Sequence, residues 1–582
     1  MTEVLSDLHR KVVIADLRET AKAVAKKIGL RTTKFFGLCL VLDNDGKLLG
    51  IINSGDIVRL SAEQYDFQRP VADCMNRDPV TISTLDLAAG NFHQVHEAAL
   101  LRSGGRSRYV SYLPVIDQFG KVADVLAKQD ILALEGQERP PVAVYGLGYV
   151  GLTLAAVAAG EGSNTIGIDI NQSIISNLCA AKMHVHEPGL SDLIQSSLKN
   201  KTLRFTSNLE ETVEATVHII AVGTPVQDDG VVDSGAIISV AKNIGKRLRA
   251  GDLVMLRSTV PLETTRKIIL PILELQSGMT GGESFSLAFC PERTVEGNAV
   301  EELQNLPQII GGLTASCSDK AAKFWRAITS NIKHVDSLEE AELVKLINNT
   351  FRDISFAFSN AVAMLCSEYN IKASKLIAHA NDGYTRNPIA RPSPGVGGYC
   401  LTKDPLIFSS SGSGGMHSEL ATLGRKINRA SQEYPLRKIE DYLLKYDVDR
   451  KLGDLTVFVI GVAFKGQPET NDMRGSSAVA LIESLTQTGA TVFGYDAVIT
   501  AADLEAHGIT ALNYEQGIKI SDVVCIMNNH PANVWDNFSQ LDRQNTQLVF
   551  DGWSQLDPHQ IEIQDQLVYS TLGYMTPPQK RC

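Results

Sequence analysis

The chain has 582 residues, 44% of them hydrophobic and 21% charged, and a formal net charge of -11. That length exceeds a single hydrophobic core and predicts roughly three to five domains. The acidic balance argues against nucleic acid or an anionic membrane as partner, so any anionic ligand must meet local donors. Nine scattered cysteines, with no CxxC and no Cys/His pair at ligand spacing, argue against a structural metal and for a reducing cytoplasm. The first residues carry no basic-then-apolar leader, and no run approaches the roughly eighteen apolar residues of a membrane span.

A weak repeat fills the first part of the chain. Gly37-Leu-Cys-Leu-Val-Leu-Asp-Asn-Asp-Gly-Lys-Leu-Leu-Gly-Ile-Ile-Asn-Ser-Gly-Asp-Ile57 returns as Tyr112-Leu-Pro-Val-Ile-Asp-Gln-Phe-Gly-Lys-Val-Ala-Asp-Val-Leu-Ala-Lys-Gln-Asp-Ile131. Each copy predicts strand, Asp/Gly turn, strand and a helix opened near the final Asp. The segment resembles a pair of CBS domains, with Met75-Asn-Arg-Asp-Pro-Val-Thr-Ile82 entering the second copy. The resemblance implies an adenine nucleotide whose ribose meets Asp56 and Asp130. The positions three residues earlier, where that family has Ser or Thr, hold Asn53 and Ala127, and a dimerisation module is the other reading. Gly136-Gln-Glu-Arg-Pro-Pro141 is the linker out.

Val142-Ala-Val-Tyr-Gly-Leu-Gly-Tyr-Val-Gly151 runs a short strand into Gly146-x-Gly148-x-x-Gly151 and a helix-like stretch. About twenty residues on, the strand Thr165-Ile-Gly-Ile-Asp169 ends in an acid, which completes a dinucleotide fingerprint. Gly146, Gly148, Tyr149, Val150 and Gly151 would surround the pyrophosphate at a helix N-terminus, and Asp169 would accept from the adenosine ribose. A carboxylate there, followed by Ile170 and Asn171 rather than a cation, selects NAD over NADP. Further β-α units follow at Val217–Pro225, Asp252–Pro261 and Phe285–Arg293. Thr224 and Thr259, each at a strand end before or near a Pro, read as cofactor contacts or as turn-forming residues.

Ser337-Leu-Glu-Glu opens a helix that continues without Pro or Gly to about Tyr369, spanning on the order of 45 Å. Lys345 and Asn349 share one of its faces, as a functional pair or as a solvated surface. Pro392-Ser-Pro-Gly-Val-Gly-Gly-Tyr-Cys-Leu-Thr-Lys-Asp-Pro405 then delivers Cys400. Gly395, Gly397 and Gly398 predict close approach of a ligand, and the Lys403 ammonium would favour a thiolate. A buried, inert cysteine is the alternative. A second doubly wound domain without GxGxxG begins at Leu455-Thr-Val-Phe-Val-Ile-Gly-Val-Ala-Phe-Lys465.

The Gly146 loop, Val222-Gly-Thr-Pro225, Ser258-Thr-Val-Pro261, Cys290-Pro-Glu-Arg-Thr-Val-Glu-Gly297, the long helix and Gly-Gly-Tyr-Cys400 together resemble the UDP-glucose/GDP-mannose dehydrogenase family over about residues 140 to 575. The resemblance implies an α/β chain with two doubly wound, Rossmann-like domains joined by a long central helix and preceded by the α+β CBS pair. The expected boundaries are 1–136, 139–335 for NAD, 336–446 for the helical dimerisation domain with Cys400, and 452–578 for the nucleotide-sugar. It further implies two oxidations of a UDP-sugar C6 alcohol by NAD, with Cys400 holding the aldehyde and Lys345 and Asn349 stabilising the oxyanion. Glu296 would be the base, and Asp404 would position water. Glu292, Lys403, Lys465 and Arg474 would contact substrate, and Arg386 would reach the neighbouring subunit's substrate. That family commonly has His where this chain has Tyr399. Glu292-Arg-Thr-Val-Glu-Gly297 resembles the branch acting on UDP-N-acetylmannosamine, with UDP-glucose as the other substrate considered. Salt bridging among these charges, or a sensor that binds NAD without turnover, are the competing readings.

Overall fold

The computed structural model describes residues 12–29, 37–53, 65–88, 112–127, 139–227, 231–329, 331–386, 388–412, 414–534, 545–556 and 567–576, together with Leu8, Asp56, Ile57 and Leu60. They form two compact units, Met1–Arg139 and Pro140–Cys582.

In the first unit the repeat becomes two three-stranded sheets of one plan. β1 (Val13–Asp16) runs parallel to β2 (Leu38–Leu42), which pairs antiparallel with β3 (Leu48–Asn53). β4 (Ile82–Ser83), β5 (Tyr112–Ile116) and β6 (Val122–Ala127) repeat the pattern. The aspartates of the two turns act alike: Asp43 accepts from the backbone of Asp45 and Lys47, and Asp117 from Phe119 and Lys121. Leu40, Leu42, Val122 and Val125 share one core, so each copy covers the apolar face of the other. Asn53 and Asp56 each accept from the other's backbone N–H, at 2.9 and 3.0 Å. Asp130 lies outside the described residues.

In the second unit, four-residue apolar runs form strands buried on both faces, as a helix-covered sheet requires. β7 (Val142–Tyr145), β8 (Thr165–Ile168), β9 (Leu203–Thr206), β10 (Val217–Ile220), β11 (Leu253–Leu256), β12 (Ser286–Phe289), β13 (Gln308–Gly312) and β14 (Ile332–Val335) lie in the order β14-β13-β12-β11-β10-β7-β8-β9. The order reverses between β7 and β10, which opens the crevice where dinucleotides bind in such sheets. One feature departs from a purely parallel sheet, because β13 runs antiparallel to β12. The reversal keeps the intervening segment, with Glu292 and Glu296, at the carboxyl edge of the sheet.

Ser337 caps the long helix Leu338–Glu368, its hydroxyl accepting from Glu340 N at 3.0 Å. The second sheet, β15 (Thr456–Ile460), β16 (Thr491–Tyr495), β17 (Val523–Ile526), β18 (Leu548–Asp551), β19 (Val568–Thr571) and β20 (Tyr574–Met575), has the order β16-β15-β17-β18-β19-β20. Its switch point falls beside β15, and the loop leaving that strand carries Lys465, Asp472 and Arg474 into the cleft between the two sheets. No helix among the described residues is long and apolar enough to cross a membrane.

Candidate active site

The cofactor crevice is shaped by three glycines with different tasks. Gly146 has φ +93° and lies so close to β10 that a Cβ would stand 2.9 Å from Val222 N, while a Cβ on Gly151 would stand 1.8 Å from Gly146 O. A Cβ on Gly148 would meet nothing within 4 Å, and Gly148 opens the helix Tyr149–Gly160 with no side-chain cap. Open space in front of uncapped helix N–H groups fits a pyrophosphate. Asp169 lies across this loop and accepts from Leu147 N at 2.8 Å and Asn171 N at 2.9 Å. Val150 is half-buried in the helix's first turn. The Tyr149 hydroxyl donates to His186 O at 2.8 Å and meets Thr470 at 3.1 Å, linking this segment to the loop after β15. Thr224 donates to Thr259 O at 2.7 Å, so the structure brings this pair together.

Cys400 is the second residue of the helix Tyr399–Ser410 and is solvent-accessible. Gly398 precedes it with φ +84°, its N–H donating to Arg474 O at 3.0 Å. The glycines here do not make room for a ligand. A Cβ on Gly397 would stand 2.7 Å from Gly475 O, and one on Gly398 2.7 Å from the Phe464 ring, so they admit the second sheet's loop.

Around the thiol, Lys345 and Asn349 are both buried on one face of the long helix, as their spacing predicts. Asn349 Nδ2 donates to Asp404 Oδ2 at 2.6 Å, and Lys403 Nζ donates to Asp404 Oδ1 at 3.0 Å and to Thr224 at 3.4 Å. Asp404 is fully buried, and this chain of bonds joins the long helix, the Cys400 helix and the end of β10. Burial pushes the Cys400 thiol up from its ordinary value; Lys345 pulls it down more than Lys403 does, and Asp404 and Glu296 oppose both. The cation that most favours thiolate is therefore Lys345, whereas Lys403 is held in an ion pair with Asp404.

On the far side, burial and then Asp472 push the Glu296 carboxyl up to about 7, against the pull of Arg474 and Lys465. Lys465 donates to Glu296 O at 2.6 Å, and Arg474 forks onto Asp472 at 2.7 to 3.0 Å with Glu296 at 3.6 Å. Two further residues expected at substrate are Glu292 and Arg386. Glu292 forms a buried ion pair with Arg257 and also accepts from Thr294 N at 2.6 Å. Burial raises its carboxyl, but Arg257 and then Lys345 outweigh burial and hold it below the ordinary value. Arg386 is exposed, its guanidinium 5.7 Å from the Tyr384 ring centroid. Sequence reading missed Arg257, although a charge directly after the all-apolar β11 was the available signal. Among the described residues no cluster of His, Cys, Asp or Glu is arranged to hold a metal.

A dinucleotide crevice facing a thiol, a buried lysine and a second doubly wound domain defines an NAD-dependent dehydrogenase. Family models describe residues 141–329 as the NAD-binding domain, 339–430 as the central domain and 458–558 as the UDP-binding domain of the UDP-glucose/GDP-mannose dehydrogenase family. Residues 5–63 match a CBS domain. An NDP-N-acetyl-D-galactosaminuronic acid dehydrogenase of Ralstonia solanacearum is 31% identical over 419 residues, 70% of this chain and 95% of that protein. A UDP-N-acetyl-D-mannosamine dehydrogenase of Escherichia coli is 31% identical over 356 residues, 60% of this chain and 82% of its own. A UDP-D-ManNAc dehydrogenase structure from Pyrococcus horikoshii superposes with TM-score 0.67 at 27% identity, covering 74% of this chain and 99% of that one. The chain belongs to the UDP-glucose/GDP-mannose dehydrogenase family, and is an NAD-dependent nucleotide-sugar dehydrogenase carrying an N-terminal CBS segment.

Proposed function

We propose that the protein oxidises the C6 alcohol of a UDP-N-acetylhexosamine, with UDP-N-acetyl-D-mannosamine as the favoured substrate, to the uronate for surface polysaccharide synthesis in the cytoplasm. The observation that carries this reading is Cys400, accessible between the NAD crevice and the Glu296–Lys465–Arg474 group, with Lys345 as its strongest favourable charge. NAD supplies the hydride acceptor, once for each oxidation. Loss of a hydride from C6 and of a proton from its hydroxyl leaves an aldehyde, and Cys400 Sγ adds to that carbon while the carbonyl oxygen takes up a proton, giving a thiohemiacetal. Loss of a second hydride from that carbon and of the proton from its hydroxyl gives the thioester; water then adds to the carbonyl carbon and the C–S bond breaks, releasing the carboxylate and returning the thiol. Lys345 and Asn349 face the oxygen that carries the developing charge, with Asp404 holding Asn349 in place. Lys465 and Arg474 meet the diphosphate.

Glu296, with its carboxyl near 7, takes the proton from the hydrolytic water. A base works deprotonated, so release of the acid should speed up as pH rises through about 7 and slow below it. In Glu296→Gln that dependence should vanish and acid release should fall roughly 10²- to 10⁴-fold. Intact-mass measurement of quenched enzyme should then find the acyl-enzyme accumulated.

The long helix exposes Ile347, Phe351, Phe358 and Leu365, with Leu420 and Leu423 exposed on the helix Met416–Gln432, and this apolar surface supports a homodimer. The CBS pair is read as an adenine-nucleotide site, with dimerisation as its other use. A panel of UDP- and GDP-sugars assayed for NADH, with and without AMP or ATP, tests the whole reading. Two NADH per sugar acid with a UDP-N-acetylhexosamine is expected. Turnover confined to UDP-glucose would replace the substrate, and NAD binding without any reduction would leave a sensor.

A further inference from the structure

Tyr399, immediately before the nucleophile, is a side chain at which all three parts of the second unit meet. Its ring meets two cations from different domains: Lys403 Nζ stands 5.2 Å from the ring centroid and the Arg474 guanidinium carbon 4.7 Å. Each cation has a carboxylate of its own, Asp404 for Lys403 and Asp472 for Arg474. The result is a chain of contacts from acid to cation to ring to cation to acid, running from the central domain to the nucleotide-sugar domain. A ring presents a negative face on each side, so it can hold two cations together that would otherwise repel. The phenolic oxygen points the third way. It lies 3.8 Å from where a Cβ on Gly223 would stand, at the carboxyl end of β10 beside the cofactor crevice. Thr224, the next residue, receives the hydrogen bond from Lys403, which closes the circuit.

We propose that Tyr399 is a positioning residue that sets the distance of Lys403 and Arg474 from Cys400 and seats the cofactor-side loop Val222–Thr224 against the nucleophile. Its ring and its hydroxyl therefore do separable jobs. The ring fixes the charges that act on the thiol; Lys403 favours its ionised form, and Arg474 is within electrostatic reach of it. The hydroxyl fixes the cofactor side. The inference rests on Cys400 being the nucleophile, and the experiment separates failure of the one from failure of the other.

Tyr399→Phe and Tyr399→Leu are compared with wild type in the full-length protein. Alkylation of Cys400 by iodoacetamide is followed by mass spectrometry from pH 6 to 10, and NADH formation is measured on the best UDP-sugar. In Tyr399→Phe the alkylation profile should stay with wild type while KM for NAD rises about 3- to 10-fold, the size of one lost neutral contact. In Tyr399→Leu the alkylation midpoint should move by about half a pH unit or more. The same variant should lose on the order of 10²-fold in kcat, because a misplacement near 1 Å has that effect. Aldehyde should then appear in solution, captured by a carbonyl reagent. A Leu variant whose alkylation midpoint and kcat match wild type would overturn the proposal, as would a Phe variant as impaired as Leu in both. If no sugar yields NADH with the wild type, the functional reading fails, yet the alkylation comparison still decides whether Tyr399 positions the charges around Cys400.

Discussion

Cys400→Ser should abolish acid formation while sparing the first oxidation, and this is the largest functional effect the site implies. The thiol is exposed, and its neighbours act on its charge: Lys345 favours the thiolate most, Asp404 opposes it, and Lys403 adds a smaller pull. A serine hydroxyl in the same place titrates far above any value those lysines could bring near neutrality, so addition to the aldehyde and release of the ester both slow. Net acid formation should fall by at least about 10³-fold, roughly 4 kcal/mol of transition-state stabilisation. The first hydride transfer does not need the sulfur, so a single turnover should still yield one NADH, with the aldehyde captured by a carbonyl reagent. Acid formation at the wild-type rate in Cys400→Ser would remove the covalent mechanism. Cys400→Ala distinguishes a residual serine adduct from simple loss of capture, because alanine can form none.

Local signals were legible in the sequence and long-range pairings were not. Ser337 and its Glu-rich first turn announced the long helix to within a residue, since a cap acts over one turn. The glycine fingerprint and Asp169 were legible for the same reason: strand, turn, helix and acid lie within one βαβ unit. The repeat in the first unit was visible because each copy builds the same hairpin from the same Asp turn. What the sequence did not show depends on partners far along the chain. Glu292 was assigned to substrate because nothing near it in sequence shows that Arg257, 35 residues earlier, takes it as a buried partner. That Lys403 favours the thiolate was legible because its adjacency to Cys400 is local, whereas the larger pull of Lys345 comes from a different helix. Gly397 and Gly398 were read as space for a ligand, but the backbone they admit belongs to a loop beginning some sixty residues later, at Phe464. Tyr149 sits in the fingerprint yet serves the junction with Thr470, a partner 321 residues away.

Arg257→Ala should be the most destabilising single change at this site, costing about 3–5 kcal/mol, because it strands a carboxylate in the interior. Arg257 and Glu292 are both buried, and the guanidinium also donates to Cys290 O at 3.1 Å and Gln308 at 3.0 Å while lying 4.7 Å from the Trp325 ring centroid. Unfolding of the NAD-binding sheet, followed through Trp325 fluorescence in guanidinium chloride, reads the loss directly. Desolvation, rather than the attraction itself, sets the size of the effect, so removing both charges together should hurt far less than removing one. The double variant Arg257→Met/Glu292→Leu should therefore recover most of the stability lost in Arg257→Ala; if it is as unstable as the single variant, packing and not the unpaired acid is responsible. The reactivity of Cys400 should recover together with stability. Lys345 acts on both Glu292 and Cys400. Glu292 unpaired from Arg257 would compete for that ammonium, and Glu292 removed would release it, so Cys400 alkylation should slow at neutral pH in the single variant and approach or exceed the wild-type rate in the double.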